Sequence, residues 1–245
     1  MSLAVAQVEA RPGSLAESVA AHVRMAGAAA DNRAELVIFP ELSLTGYSRA
    51  LTREDAIDIG APALQPLADV ARARGITIVA GTPVASNAGL LISSVAWCPD
   101  GRIATYIKQH LHEGEERTFV AGNGGNLLAI GGRKVGLAIC AEINNASHMA
   151  RTIERGAEVY AASCFLTPSG YDADCRRLRE CATVHGVVVL MANFAGPSGG
   201  FESAGGSSIW DGTGRLLAAA PSAGQYLVLA ERQNGRWSGH LVAVA

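Results

Sequence analysis

Long apolar runs are missing from this chain. The longest, Val187 to Ala195, is interrupted by Asn193 and falls far short of the roughly 20 apolar residues that cross a bilayer. A mildly positive mean hydropathy of +0.20 therefore points to a large buried core and not to a membrane span. No basic segment followed by an apolar one opens the chain, so a secretory leader is not expected and a cytoplasmic setting is. Excess charge is missing too. Only 17% of residues are charged and the formal net charge is −2, which leaves no electrostatic case for nucleic acid or an anionic membrane as a partner. Cysteine is scarce and odd in number, five residues without a CxxC pair. That argues against a disulfide framework and for free thiols in a reducing compartment. The glycine-rich stretches Gly122 to Asn126 and Gly196 to Gly200 lack the ending of a phosphate loop, and they read as turns and a mobile loop. His110 and His112 alternate beside Glu113 on one strand face, but no third spaced His or Cys follows, so neither a metal nor another cofactor is expected.

What the chain does have is apolar material and turns. Hydrophobic residues make up 49% of its 245 residues, and 28 glycines stand against nine prolines. Helix and strand patterns alternate from end to end without a linker or repeat, so residues 1–245 read as a single α/β domain. Helices are expected over Ser14 to Asn32, Ala63 to Arg74, His148 to Arg155 and Asp172 to His185, the last three each stopped by a glycine. Strands are expected at Leu3 to Val8, Leu36 to Phe39, Ile76 to Ala80, Ala157 to Ala162 and Val187 to Ala192. Three hairpins pair Leu90 to Trp97 with Arg102 to Ile107, Leu127 to Ile130 with Lys134 to Ile139, and Ser207 to Trp210 with Arg215 to Ala220. Gln225 to Glu231 closes the sheet. Cys175 and Cys181, six apart on one helix, read as packing residues.

Three of these strands end on groups that carry chemistry. Cys140 follows Val135 to Ile139, Glu41 follows Leu36 to Pro40, and Lys108 follows Ile103 to Ile107. Strand carboxyl ends are where open α/β sheets place their sites. A thiol nucleophile, a carboxylate base and a fixed cation together suit covalent cleavage of an amide-like carbon–nitrogen bond. Cys140 attacks, Glu41 takes the thiol proton and returns it to the leaving amine, and Lys108 with the Ala141 backbone N–H holds the oxyanion. In water the acidities of Glu and Cys side chains lie about 4 pH units apart, roughly 5.7 kcal/mol against that proton transfer. Burial of Glu41 and the charge of Lys108 must close most of the gap.

The segments around these residues resemble those of a known family. Val37 to Tyr47 is similar to the first-glutamate motif of the nitrilase superfamily of carbon–nitrogen hydrolases. Tyr106 to Leu111 resembles its lysine motif and Val135 to Cys140 its cysteine motif, in the family's order. Glu115 to Gly122 resembles the segment with the family's second glutamate, a role the resemblance gives to Glu115 in preference to Glu113 or Glu116. The resemblance implies a four-layer α-β-β-α sandwich that associates through one sandwich face into a homodimer or larger homo-oligomer. It also implies a cofactor-free amidase acting on a small linear amide through a thioester acyl-enzyme. A nitrilase, an N-carbamoyl amine hydrolase and a catalytically silent metabolite-binding homologue are the alternatives.

After the nucleophile the chain departs from that pattern. Ala141-Glu142-Ile143-Asn144-Asn145 replaces an aromatic residue, an acid and then a basic or bulky one. Ala141, Glu142, Asn144 and, from the later strand end, Asn193 are the expected substrate-binding residues. Ala141, Asn144 and Asn145 predict a neutral, polar, roomy wall, with Arg151, Arg176 and Arg177 on following helices within reach of it. His148 either lines this pocket or sits at a helix start. The loop Gly199 to Gly205 is expected to border the substrate.

Overall fold

The computed structural model describes residues 1–244. In chain order the first half holds β1 (Ser2–Glu9), α1 (Leu15–Asp31), β2 (Leu36–Ile38), α2 (Gln65–Arg74), β3 (Thr77–Ala85), β4 (Leu90–Trp97) and β5 (Ile103–Ile107). The second half holds β6 (Leu128–Ile130), β7 (Arg133–Ile139), α3 (Ala146–Glu154), β8 (Val159–Ser163), α4 (Tyr171–His185), β9 (Val188–Ala192), β10 (Phe194–Ala195), β11 (Ser208–Trp210), β12 (Leu216–Ala219), β13 (Tyr226–Gln233) and β14 (Arg236–Ala243).

Two sheets result, ordered β14-β13-β1-β2-β3-β4-β5 and β12-β11-β9-β8-β7-β6, with β10 pairing beside β1. They pack face to face, β1 on β9, β2 on β8 and β4 on β7. Helices α1 and α2 cover the outside of the first sheet and α3 and α4 that of the second. This is the expected four-layer α-β-β-α sandwich. The parallel strands β8 and β9 are buried at every residue, which is why they read as unbroken apolar runs and not as alternating ones.

Local chemistry sets the helix ends. Ser14 caps α1, its Oγ accepting from the Glu17 N–H at 3.3 Å, and Gly75 ends α2 in the left-handed region at φ 66°. Helix α3 begins two residues before His148 because Asn145 caps it, its Oδ1 accepting from the His148 N–H at 3.0 Å. Two strands lie outside the sequence reading, the two-residue β10 and β14. β14 pairs along all of β13 across Asn234-Gly235, with φ of 49° and 81°. Such a dipeptide is the strongest short hairpin signal, but the alternately exposed β14 at the sheet edge shows no apolar run. All five cysteines are unpaired thiols. Among the described residues no helix is long and apolar enough to cross a membrane.

Candidate active site

Two sheets contribute to one cluster. Glu41 comes from the end of β2 and Lys108 from the end of β5 in the first sheet, and Cys140 follows β7 in the second. The Glu41 N–H donates to the Cys164 carbonyl just past β8 at 3.4 Å, which ties the sheets at this end. Glu41 sits in a loop that lies on β3. A Cβ on Gly81 would meet the Leu42 nitrogen and stand 2.7 Å from the Pro40 carbonyl, so only glycine admits the loop there. Leu42 takes φ 51° and Cys140 φ 44°. Left-handed backbone costs a non-glycine residue about 1–3 kcal/mol and survives where surrounding structure imposes it. Cys140 opens a single tight turn, Cys140–Asn144, that lifts its side chain off the strand.

The cluster is almost dry. Glu41, Lys108 and Glu115 are fully buried, and Cys140 is 7% exposed. The Lys108 ammonium donates to Glu41 Oε1 at 2.6 Å and to both Glu115 oxygens at 2.8 and 3.0 Å. Glu115 is held in turn by the Tyr47 hydroxyl at 3.0 Å and the His112 N–H at 2.8 Å. Glu41 Oε2 is buried without a hydrogen-bond partner among the described residues. The Cys140 thiol lies 3.6 Å from the Phe165 carbonyl and also faces the Glu41 carboxylate. Burial raises Glu41, Lys108 opposes it, and the result is a pKa of about 7. Burial also pulls the Lys108 ammonium down, but the charges of Glu41, Cys140 and Glu115 outweigh that and hold it above its ordinary range. The Cys140 thiol is pushed well up, first by burial and then by the charge of Glu41.

Of the four residues expected on the substrate, the structure brings two to the cavity. Ala141 and Asn144 line it. Glu142 turns away instead. Its Oε1 accepts from the backbone N–H groups of Gln109 at 2.6 Å and His110 at 3.4 Å, and its Oε2 from the Ile139 N–H and the Tyr106 hydroxyl, both at 2.8 Å. A buried carboxylate must find donors, and these leave it no oxygen for a substrate. Asn193 is likewise spent, accepting from the Leu166 N–H at 2.8 Å and donating to the carbonyls of Leu166 and Gly205. His148 sits at its helix start, buried between Tyr106 and Tyr160 at 2.7 and 3.0 Å, and its pKa falls to about 4 mainly through burial. His110 and His112 turn to different neighbours, Arg151 and Arg49.

The cavity above Cys140 measures about 490 Å³, within the usual range for small-molecule sites. Tyr47, Phe165 and Phe201 form its aromatic wall, with Tyr47 stacked on Phe165 at 4.8 Å between ring centroids. Phe201 brings the expected loop to the rim. Thr167, Ser169 and Gly170 approach from the chain leading into α4, and Asp174 from α4 itself. The expectation of a neutral wall does not hold. Arg49 and Asp174 both line the cavity, whereas Arg151, Arg176 and Arg177 do not. Arg49 follows the glutamate motif by a few residues and carries no spacing signal of its own. A larger cavity, about 780 Å³, lies beyond the Thr45 to Ser48 segment and contains none of the reactive cluster.

Known proteins share this architecture. A family model described as carbon-nitrogen hydrolase matches residues 2–238. A glutamine-dependent NAD(+) synthetase of Xanthomonas campestris pv. campestris is 30% identical over 94% of this chain, which spans only 43% of that protein. An (R)-stereoselective amidase of a Pseudomonas species is 27% identical over 90% of this chain and 81% of its own length. Among solved structures, the amidase from Nesterenkonia sp. AN1 superposes with a TM-score of 0.85 over 95% of this chain and 93% of its own, at 24% identity. Another form of it, in complex with butyramide, matches with a TM-score of 0.83 at 25% identity over 94% of this chain and 89% of its own.

Proposed function

Because the chain belongs to the carbon–nitrogen hydrolase family, we propose that it hydrolyses a small linear non-peptide amide through a thioester on Cys140. The observation that carries this reading is the buried contact of Lys108 with both Glu41 and Glu115, beside a thiol that opens onto a cavity of about 490 Å³. The amidase relative and the butyramide-bound neighbour favour an amide over a nitrile. Glutamine, named in the synthetase relative, is itself a primary amide.

In this scheme Glu41 removes the thiol proton as sulfur attacks the amide carbon. The oxyanion that forms is held by Lys108 and the Ala141 backbone N–H. Collapse breaks the carbon–nitrogen bond as Glu41 hands its proton to the leaving nitrogen, and ammonia departs. Water then enters, Glu41 takes its proton, and hydroxide attack on the thioester carbon expels the Cys140 thiolate. That thiolate regains the proton from Glu41, leaving a carboxylic acid and the resting enzyme.

Burial acts on both partners of the first proton transfer, raising the Cys140 thiol as well as Glu41. Raising Glu41 from 4.5 to about 7 recovers about 3 kcal/mol of the transfer cost. Part of the thiol's upward shift comes from the negative charge of Glu41, and that part vanishes once Glu41 accepts the proton. The transfer moves one negative charge from one side of Lys108 to another, so the desolvated site never gains net charge. Glu115 keeps Lys108 in place throughout.

Ammonia release from a panel of short amides, with intact-mass detection of the acyl-enzyme, tests the proposal. A mass increment on wild type that is absent in Cys140→Ala supports it. Turnover retained by Cys140→Ala refutes it.

A further inference from the structure

The cations around the cavity are not in equal states. Lys108 is neutralised by two carboxylates, and Arg177 on α4 lies 3.2 Å from Asp174. Arg49 is different. Its Nε donates to the Tyr47 hydroxyl at 3.2 Å, one terminal nitrogen lies 3.2 Å from His112 Nδ1, and the guanidinium rests over the Phe201 ring at 5.1 Å from the centroid. None of the three partners is a carboxylate. Among the described residues no carboxylate comes within 4.0 Å of it. The cavity therefore holds a half-buried guanidinium, oriented by its neighbours and in direct contact with no carboxylate, although the charges of Glu115 and Glu116 lie near enough to act on it. Of the two acids that line the cavity, Glu115 is paired with Lys108 and Asp174 with Arg177.

A planar guanidinium fixed in this way matches a carboxylate in charge and in fork geometry. Tyr47 joins it to the chemistry: the hydroxyl that accepts from Arg49 donates to Glu115 at 3.0 Å. The stacked rings of Tyr47 and Phe165, with Phe201 edge-on to Tyr47 at 6.2 Å, offer an apolar surface for a short methylene chain between the two ends. We propose that Arg49 receives a carboxylate on the acyl part of the substrate, so that the preferred substrates are short amides bearing an anionic group at the end remote from the scissile bond. This rests on the amide-hydrolase reading above and specifies its substrate class.

Succinamate and butyramide make a matched test, sharing the amide and two methylenes and differing in that a carboxylate replaces the terminal methyl. Wild type is expected to favour succinamate in kcat/KM by about thirtyfold or more, as one charge-assisted contact supplies. Arg49→Met should erase most of that ratio, chiefly through KM, and Arg49→Lys should keep part of it. A purely structural role for Arg49 would depress both substrates together and leave the ratio unchanged. In wild type alone, succinate should protect Cys140 from iodoacetamide at lower concentration than 1,4-butanediol does, a readout that needs neither turnover nor a folded variant. Equal ratios in wild type and Arg49→Met, or equal protection by the two compounds, overturn the inference. Absence of ammonia release from every amide overturns the hydrolase reading and this one with it, whereas release without charge preference overturns this one alone.

Discussion

Glu142, two residues beyond Cys140, accepts a 2.6 Å hydrogen bond from the backbone N–H of Gln109, one residue beyond Lys108. The same carboxylate accepts from the N–H of Ile139, one residue before Cys140, at 2.8 Å. One buried side chain thus spans the two strand ends that carry Cys140 and Lys108. The Tyr106 hydroxyl, which donates to it, lies 2.7 Å from His148 and accepts from Gln109 Nε2 at 3.0 Å.

Glu142→Gln is expected to be costly for this reason. The amide keeps the volume but turns one of two acceptor oxygens into a donor, which then faces donors. Leaving such groups unsatisfied costs about 1–3 kcal/mol each, so unfolding stability should fall by about 2–4 kcal/mol in urea titration. Loosening the turn should also slow alkylation of Cys140 in the folded state. Unchanged stability and unchanged alkylation would show that the brace is dispensable.

Cys140→Ala should abolish turnover while the fold and its melting temperature are retained, because the covalent intermediate cannot form. Cys98, Cys164, Cys175 and Cys181 changed singly to Ser should keep most activity. Cys98, Cys164 and Cys181 are buried and Cys175 is half-buried, and burial raises all four thiols. An acyl adduct mapped to any of these four would displace Cys140 from its role.

Much of this site was legible in the sequence, and each failure has its own physical cause. The strand ends at Glu41, Lys108 and Cys140 could be read because an apolar run stops abruptly at each. Glu115 could be placed only by resemblance, since Glu113-Gly114-Glu115-Glu116 is an ordinary charged run. Which way a side chain turns after such a run is not encoded in spacing. Glu142 and Asn193 therefore looked like pocket residues, although each is consumed by backbone donors or acceptors brought in from other elements. Arg49 and Asp174 went unread for the converse reason: both reach the cavity only after the sheets have packed. The β14 edge strand was hidden by its alternately exposed pattern, and the Asn234-Gly235 turn was its one clear mark.

The pH dependence should report Glu41. A general base must be ionised, and the Glu41 pKa is raised to about 7 by burial. Activity is therefore full above that value and lost as pH falls through it, whereas an unperturbed carboxylate would hold activity down to about 4 to 5. Profiles of kcat/KM against pH should bend near 7 on the acid side. Glu41→Gln should lower kcat by at least about a hundredfold and remove the bend. A profile flat from pH 5 to 8 would exclude Glu41 as the base.

Gly81→Ala and Gly27→Ala should act in opposite directions, and the contrast isolates the loop that carries Glu41. Gly81 lies on β3 where the Pro40-Glu41-Leu42 backbone crosses it, and an added Cβ would come 2.9 Å from the Glu41 carbonyl carbon. Backbone on both sides cannot yield cheaply, so the loop must lift. Lifting it draws Glu41 away from the Lys108 ammonium, with which it makes a 2.6 Å contact, and leaves a buried cation less well paired. Stability should drop by about 2 kcal/mol or more, and kcat should fall with it. Gly27 sits inside α1 with nothing within 4 Å of an added Cβ. There the methyl meets no neighbour and removes backbone freedom from the unfolded chain, which should raise stability by about 0.5–1 kcal/mol with kcat unchanged. Measuring both variants by urea unfolding and steady-state kinetics separates the two effects. If Gly81→Ala matched wild type in stability and in kcat, the close crossing of β3 would have no part in holding Glu41.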